Sequence, residues 1–263
     1  MAEHTLLWQP QLPTLTRQVE EAAVNAWPAM QQMLLDGWLL RFSKGLSMRS
    51  NCVVPLYLSA SPRDHTLIDR VRYCENLYAR EQLQCVFRIS ATTQRQDMAR
   101  LDRLLAERDY QRSQPSTIMT LALRNFAAPR NAVDVRLHSL QEWLQGYCEL
   151  MEMPHPAQDL HRVILQSVGH DCAFALSHRD EQVLGCGLAI ADHRVGGLFD
   201  IYCAPEARGQ GIGRAITSHL LDWLAGRNLE HAYLHVLDSN TSAQALYAGL
   251  GFTPQYAFWY RHQ

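Results

Sequence analysis

The chain of 263 residues lacks several features that would assign it to a class of protein. Its seven cysteines are odd in number and form no C-x-x-C pair, so the sequence indicates neither a disulfide framework nor a metal site. No segment approaches the roughly 18 apolar residues that a membrane span needs, and the opening MAEHTLLWQP has no basic segment followed by an apolar one. We therefore expect a soluble, cytoplasmic protein with reduced cysteines and no membrane contact.

An excess of basic charge is also missing. The chain carries 24 basic and 26 acidic residues, a formal net charge of -2, so it offers no strong field for nucleic acid or anionic lipid. We expect no nucleic-acid partner. The hydrophobic fraction of 47% is that of a globular protein, and the length allows one large domain or two ordinary ones.

The segment FAAPRNA, without strong periodicity, falls near the middle and predicts a boundary near residue 130, which gives domains 1–130 and 131–263. Hydrophobic periodicity predicts an α/β fold in both. In the second half we predict strands at 132–140, 197–204, 231–237 and 257–262, a hairpin turning at 179–181, and helices at 141–151, 157–168, 212–226 and 241–251. In the first half we predict strands at 34–42, 46–56, 84–90 and 116–123, and helices at 65–81 and 100–110. The first half is a weak repeat of the second, and two unrelated α/β segments remain the alternative.

The stretch RGQGIGR at residues 208–214 follows a predicted strand and opens a predicted helix. A phosphate-binding P-loop needs a lysine that is missing here, and a dinucleotide fingerprint needs a third glycine where Ile216 stands. The pattern R-x-x-G-x-G at Arg208, Gly211 and Gly213 instead suits anion binding. Glycines allow unusual backbone angles and close approach, and free N–H groups of a helix start attract a pyrophosphate.

Two segments together resemble the GNAT superfamily of acetyl-CoA-dependent N-acetyltransferases: GLFDIYCAPEARGQGIGRAI, and LHVLDSNTSAQALYAGLGF with its N-x-x-A-x-x-L-Y-x-x-L-G-F pattern. The resemblance extends from about residue 131 to the C-terminus. The first half, with DGWLLRF and RSNCVVPL, resembles the degenerate amino-terminal half of two-part members, and YLSASPRDH replaces its glycine loop. The resemblance implies a mixed, mostly antiparallel sheet flanked by helices, splayed at the cofactor site, in two tandem halves.

The resemblance also implies acetyl-CoA as the co-substrate. The glycine loop would bind its pyrophosphate, main-chain groups of β-strand residues 201 and 203 its pantetheine arm, and Asn240 the region near the thioester. The cofactor contacts implied in this way are Ile201, Cys203, Arg208, Gly209, Gln210, Gly211, Ile212, Gly213, Arg214, Asn240 and Tyr247. Chemistry is expected in a slot between residues 200–203 and 234–238.

Three residues are candidate catalysts. Tyr247 stands at the family's acid position and would protonate the departing thiolate, although an aromatic residue on an amphipathic helix also serves packing. His235 stands where several members have a glutamate base, and a histidine keeps a proton acceptor there unless it is structural. Asp200 on the neighbouring strand is the second candidate base, acting through a water, and its alternative is a hydrogen-bonded strand carboxylate. Arg49 is interpreted as an ordinary surface or interdomain charge.

The resemblance therefore predicts an N-acetyltransferase that moves an acetyl group from acetyl-CoA directly to a primary amine of a small molecule or protein. The alternative is a CoA-binding sensor or regulatory module without turnover. The acceptor is not specified by any motif, because a fold does not determine its substrate. A homodimer is left open.

Overall fold

The computed structural model describes residues 14–57, 64–91, 96–124, 126–129 and 133–263. Residues 130–132, at the predicted boundary, and most of the YLSASPRDH segment lie outside the described residues. Within the described ranges, no helix has both the length and the apolar character that crossing a membrane requires.

The part of the chain up to residue 122 contributes the following elements: α1 Thr14–Asn25, β1 Gln31–Leu35, β2 Trp38–Phe42, β3 Val53–Pro55, α2 Asp64–Arg80, β4 Phe87–Ala91, α3 Gln96–Glu107 and β5 Gln111–Ala122. The part from residue 135 contributes β6 Val135–His138, α4 Leu140–Leu150, α5 His155–Gln166, β7 Asp171–Arg179, β8 Gln182–Asp192, β9 Val195–Cys203, α6 Ile212–Ala225, β10 His231–Leu237, α7 Thr241–Ala248 and β11 Thr253–His262. A short 3-10 turn at Pro205–Ala207 lies between β9 and α6.

Most predicted elements of the second half are confirmed to within a few residues, but the first half departs from prediction in three places. The segment 34–42 is a hairpin, because Asp36 and Gly37 have φ of 45° and 83° and the chain turns between β1 and β2. Of the segment 46–56, only Val53–Pro55 is a strand. Helix α1 was not predicted, although it buries one apolar face.

The described strands form one eleven-stranded sheet in the order β1-β2-β3-β4-β11-β5-β10-β9-β8-β7-β6. Neighbouring strands are antiparallel except for β3 with β4 and β9 with β10. The last strand of the chain, β11, lies between β4 and β5. The two tandem halves therefore share one hydrogen-bonded sheet.

Strands β9 and β10 diverge halfway along their length. They pair from Val195 with His231 to Leu198 with Leu234 and no further. Past that point the register of β9 against β8 shifts, and Asp200 has a left-handed φ of 50°, which marks a β-bulge. Because β10 continues along β5 to Leu237, a slot opens between β9 and β10.

Helices cover both faces of the sheet around this slot. On one face, α6 buries Leu220, Leu221 and Leu224 against β7, β8 and β9. A Cβ added to Gly187 on β8 would lie 2.7 Å from the Ile216 side chain, so this glycine allows α6 to approach closely. On the opposite face, α1 and α4 pack over a core that includes Trp27 and Trp143.

Candidate active site

A cleft of about 480 Å³ opens where β9 and β10 diverge. Five of the predicted site residues line it, namely Asp200, Ile201, His235, Asn240 and Tyr247. The remaining wall is shared between the halves: Ser47, Arg49 and Ser116 come from the first, and Phe258 and Tyr260 come from β11. The structure thus brings both candidate bases and the candidate acid to one cavity.

The glycine loop connects the end of β9 to the start of α6. Gly209 and Gly211 have φ of 74° and 80°, angles that residues with a side chain seldom adopt. Gly211 is the N-cap residue of α6 and provides no side-chain cap, and the first bond into the helix runs from the Ala215 N–H to the Gly211 carbonyl at 2.9 Å. The N–H groups before Ala215 have no acceptor within the helix, which is the arrangement that anion-binding helix starts use.

The side chains of the loop are held by the protein itself. Gln210 accepts a hydrogen bond from Arg179 at 2.6 Å and donates one to the Glu206 carbonyl at 2.9 Å. Arg214 donates to the Gly249 carbonyl at 3.1 Å. Ile212 is buried in the core, so it presents only its main chain. Backbone donors are therefore the main groups that this loop offers to a ligand.

Arg208 and Cys203 lie together at the end of β9. The Arg208 Nε donates to the Cys203 carbonyl at 3.4 Å. Burial raises the pKa of the Cys203 thiol above its usual value. The thiol is protonated near neutral pH, as expected of a small apolar residue rather than a nucleophile.

Tyr247 projects from α7 into the cleft. The helix begins after Asn240, whose side-chain oxygen accepts the Ala243 N–H at 3.1 Å, so Asn240 caps the helix as well as lining the cleft. The Tyr247 ring meets Phe252 edge-on at 5.9 Å. Burial raises the pKa of Tyr247 to about 12, with a smaller contribution from Cys203. The phenol therefore carries its proton at neutral pH.

His235 lies on β10 in apolar surroundings. Its ring centre is 5.1 Å from that of Phe258 and 6.0 Å from that of Tyr233. Burial, with a smaller contribution from Arg88, lowers the pKa of His235 to about 3. The imidazole is neutral at physiological pH but is a weak base, and its buried Nε2 has no hydrogen-bond partner among the described residues.

Asp200 sits on the bulge of β9, and its side chain is 8% exposed. Its Oδ1 accepts a hydrogen bond from Arg49 Nη2 at 3.3 Å, and its Oδ2 is 3.7 Å from His161 Nε2. His161 comes from α5, and its ring contacts Trp27 edge-on at 4.9 Å. Burial lowers the pKa of His161, and Asp200 opposes that effect only in part.

The sequence did not identify Arg49, which lines the cleft, or His161, which contacts Asp200. Arg49 is an interdomain charge, as one of its two interpretations held, but it pairs with a carboxylate 151 positions away that lines the cleft. Neither residue belongs to a motif. The only sequence signal was the polar RSN stretch directly before an apolar strand, which is too common to indicate a site.

Known proteins are similar to this chain in sequence or in fold. The uncharacterized N-acetyltransferase YobR of Bacillus subtilis (strain 168) is 25% identical over 243 residues, which are 90% of this chain and 94% of that protein. The probable histone acetyltransferase Rv0428c of Mycobacterium tuberculosis is 28% identical over 246 residues, 90% of this chain and 70% of that protein. A tandem GNAT protein from the clavulanic acid biosynthesis pathway has the same fold, with a TM-score of 0.66 at 14% identity over 97% of this chain and 89% of that one.

Fold and cleft together define a GNAT-superfamily acetyltransferase. Within that superfamily, the chain belongs to the family described as probable histone acetyltransferase Rv0428c C-terminal, which matches residues 14–261. The predicted superfamily and the predicted fold, a mostly antiparallel α/β sheet in two tandem halves, are confirmed.

Proposed function

We propose that this acetyltransferase moves an acetyl group from acetyl-CoA directly to a primary amine of a small molecule or protein. The observation that carries the proposal is the divergence of β9 and β10, which places Asp200 and Tyr247 in one cleft. The glycine loop and the start of α6 follow directly from β9. Strand β9 thus connects the cleft to the glycine loop that we assign to anion binding.

The glycine loop fits the pyrophosphate of acetyl-CoA. Apart from the adjacent residues of the chain, no atom lies within 4 Å of a Cβ built on Gly209 or Gly211, so the backbone there is open to a ligand. The helix start has no side-chain cap, which leaves N–H donors and the favourable end of the helix dipole for an anion. We assign the main chain of residues 208–214 to the pyrophosphate.

The pantetheine arm and thioester follow the cleft from that loop. We assign the exposed edge of β9, at Ile201 and Cys203, to the pantetheine arm, because this part of β9 has no pairing with β10. Asn240 and Tyr247 line the opposite side. Acetyl-CoA, when bound, supplies the acetyl group as a thioester.

In the proposed reaction, the bond from the amine nitrogen to the acetyl carbon forms, the carbon–sulfur bond breaks, and one proton must leave nitrogen while one reaches sulfur. Tyr247 is the donor to sulfur, since its raised pKa keeps the phenol protonated. Asp200 is the acceptor from the amine, directly or through a water. The low pKa of His235 reverses the order in which sequence alone ranks the two bases.

The test combines calorimetric titration with acetyl-CoA and a panel of amines assayed by thiol release. We expect binding and turnover. Tyr247→Phe should lower kcat about 10²- to 10⁴-fold with little change in acetyl-CoA affinity, because only a hydroxyl is removed. Asp200→Asn should lower kcat/KM comparably, and the exposed Tyr73→Phe serves as control.

Two other outcomes would each contradict a part of this proposal. Binding without thiol release for any amine would favour the alternative of a CoA sensor. A Tyr247→Phe variant with weaker binding and an unchanged kcat would make Tyr247 a binding residue rather than the acid.

A further inference from the structure

The part of the cleft next to the first half is here called the acceptor end, and it contains one basic side chain, that of Arg49. Among the residues that the structure describes, Arg49 and Asp200 are the only arginine, lysine, aspartate or glutamate residues that line the cleft, and burial keeps the lining His235 neutral. Arg49 lies on the side of the cleft supplied by the first half, with Ser47 and Ser116 nearby. An acceptor that enters there meets a cation and an anion side by side.

Arg49 is held in place by its surroundings rather than by its partner carboxylate. Its guanidinium stacks 3.9 Å from the centre of the Trp27 ring and lies 5.7 Å from that of Phe199. Trp27 is itself buried. A guanidinium that stacks on an aromatic ring keeps its N–H groups free to donate hydrogen bonds in the plane of the guanidinium.

Several hydrogen bonds within the protein hold the loop that carries Arg49 in place. The Asn51 side chain accepts from the N–H groups of Ser43 and Gly45 at 2.7 and 3.0 Å and donates to the Ser47 carbonyl at 2.9 Å. The buried Arg41 donates to the carbonyl of Arg49 itself at 2.5 Å. Arg49 is therefore presented to the cleft without the need to order a loop on binding.

The hydrogen-bonding capacity of Arg49 is largely unused. Within the described part of the chain, its guanidinium makes a single hydrogen bond, the 3.3 Å contact to Asp200, which is one-sided rather than bidentate. Its side chain is 30% exposed. A guanidinium has five N–H donors in a planar fork that matches a carboxylate, so most of this fork is available to a ligand.

We propose that the acceptor is a zwitterionic amine, an amino acid or similar small molecule whose own carboxylate binds Arg49 while its amino group lies against Asp200. This inference rests on the proposed function and specifies its substrate. The neighbouring basic and acidic side chains complement the carboxylate and amino group of one small molecule. An acceptor that arrives as an ammonium loses one proton to solvent before attack, and the second proton is the one that Asp200 accepts as the carbon–nitrogen bond forms. A doubly charged phosphate fits less well, because Asp200 is only 3.3 Å from the guanidinium.

The test compares amines in matched pairs, each α-, β- or γ-amino acid against its own carboxamide, with aminoethyl phosphate as a third arm. For wild type we expect at least one amino acid to have a kcat/KM about 10-fold or more above that of its carboxamide, as a charge-assisted fork would provide. In Arg49→Gln this ratio should fall to about 1. Any effect of the variant through Asp200 acts on both members of a pair and cancels in the ratio.

Arg70→Gln is the matched control, because Arg70 also lies over a tryptophan, at 4.9 Å from Trp38, and pairs with a carboxylate, Asp36, but lies outside the cleft. It should leave the ratio unchanged. Calorimetry supplies a readout without turnover: the N-acetylated amino acid should bind wild type about 10-fold or more tightly than Arg49→Gln, whereas its carboxamide should bind both equally.

A wild-type ratio near 1, a ratio that survives in Arg49→Gln, or a preference for aminoethyl phosphate would each overturn the inference. Acetylation of carboxamides and amino acids alike would still leave the proposed N-acetyltransferase function standing. Absence of acetyl-CoA binding or of all thiol release would instead contradict the proposed function itself.

Discussion

His235 shows how burial changes the role of a single residue. An ordinary histidine titrates near pH 6.5, but the pKa of His235 is lowered to about 3 because its charged form would lie in a dry, aromatic environment beside Arg88. The native state therefore binds fewer protons than the unfolded state between about pH 6.5 and 3. By linkage, this residue contributes stability above pH 6.5 that is lost as the pH falls through that window.

We expect His235→Gln to flatten the acid dependence of the free energy of unfolding. A single group with this shift contributes a slope of up to about 1.4 kcal/mol per pH unit, so the wild-type curve should fall more steeply than the variant curve from pH 6.5 downwards. Urea unfolding at half-unit pH intervals measures both slopes.

The exposed His155→Gln provides the control and should retain the wild-type slope. Equal slopes in wild type and His235→Gln would show that His235 is not held neutral. Loss of an ionisation near neutral pH from the rate profile of His235→Gln would restore it as the candidate base.

At the scale of elements, the link between β9 and α6 depends on the backbone of the glycine loop. Gly211 has a φ of 80°, so a side chain there strains the backbone. No other part of the protein crowds the position of a Cβ, so the added atoms would collide only with a bound ligand. Gly213 has a different constraint: it lies inside α6, where a Cβ would be 3.2 Å from Leu246 and 3.4 Å from the Cys203 sulfur.

We expect Gly211→Val to weaken acetyl-CoA binding at least about 10-fold while the chain still folds. The left-handed angle costs a side-chain-bearing residue roughly 1–2 kcal/mol, most for a β-branched one, and the added atoms occupy space that the ligand needs. Calorimetry measures the affinity, and thermal unfolding checks the fold. Gly169→Val is the control, since Gly169 has open space around it and no positive φ. Equal affinity in both variants would remove the loop from the cofactor site.

At the scale of the molecule, a buried polar network ties α1, β4 and β11 together. Arg88 donates two hydrogen bonds to the Glu20 carboxylate, at 2.5 and 3.0 Å, and the Tyr256 hydroxyl donates a third at 2.6 Å. Burial by itself would raise the pKa of Glu20, but Arg88 and these hydrogen bonds lower it below its usual value. The network connects β11 to elements of the first half and lies close enough to His235 to affect its pKa.

We expect Glu20→Ala to lower the free energy of unfolding by about 3–5 kcal/mol, because it leaves the Arg88 guanidinium buried without a counter-charge. Glu20→Gln, which keeps hydrogen-bond acceptors, should cost less. Denaturant unfolding measures both variants. Removing an exposed partner by Glu230→Ala, opposite Arg194, should cost no more than about 1 kcal/mol. A similar small loss for Glu20→Ala would mean that the network contributes little to holding the halves together.

Local patterns were sufficient for several parts of this protein. The β10 prediction at 231–237 matches the observed strand, and the helix predicted from residue 212 begins there, because alternation, amphipathic periodicity and a glycine at the helix start are properties of neighbouring residues. The resemblance, which rests on two local motifs, indicated Asp200, Asn240 and Tyr247, and all three line the cleft. The hairpin at Asp36 and Gly37 had a local signal too, the Asp-Gly pair, which the prediction of one continuous strand passed over.

The amino-acid sequence by itself determined the strand–loop–helix unit of the glycine loop, the order of most elements and the superfamily, since each rests on residues close together in the chain. Only the tertiary structure decided that β11 lies between β4 and β5, that Arg49 pairs with Asp200 across 151 positions, and that His235 is too buried to titrate near neutral pH. Strand order and side-chain burial result from packing between distant segments. No window of neighbouring residues contains that information. The acceptor end of the cleft is formed almost entirely by such contacts between distant segments.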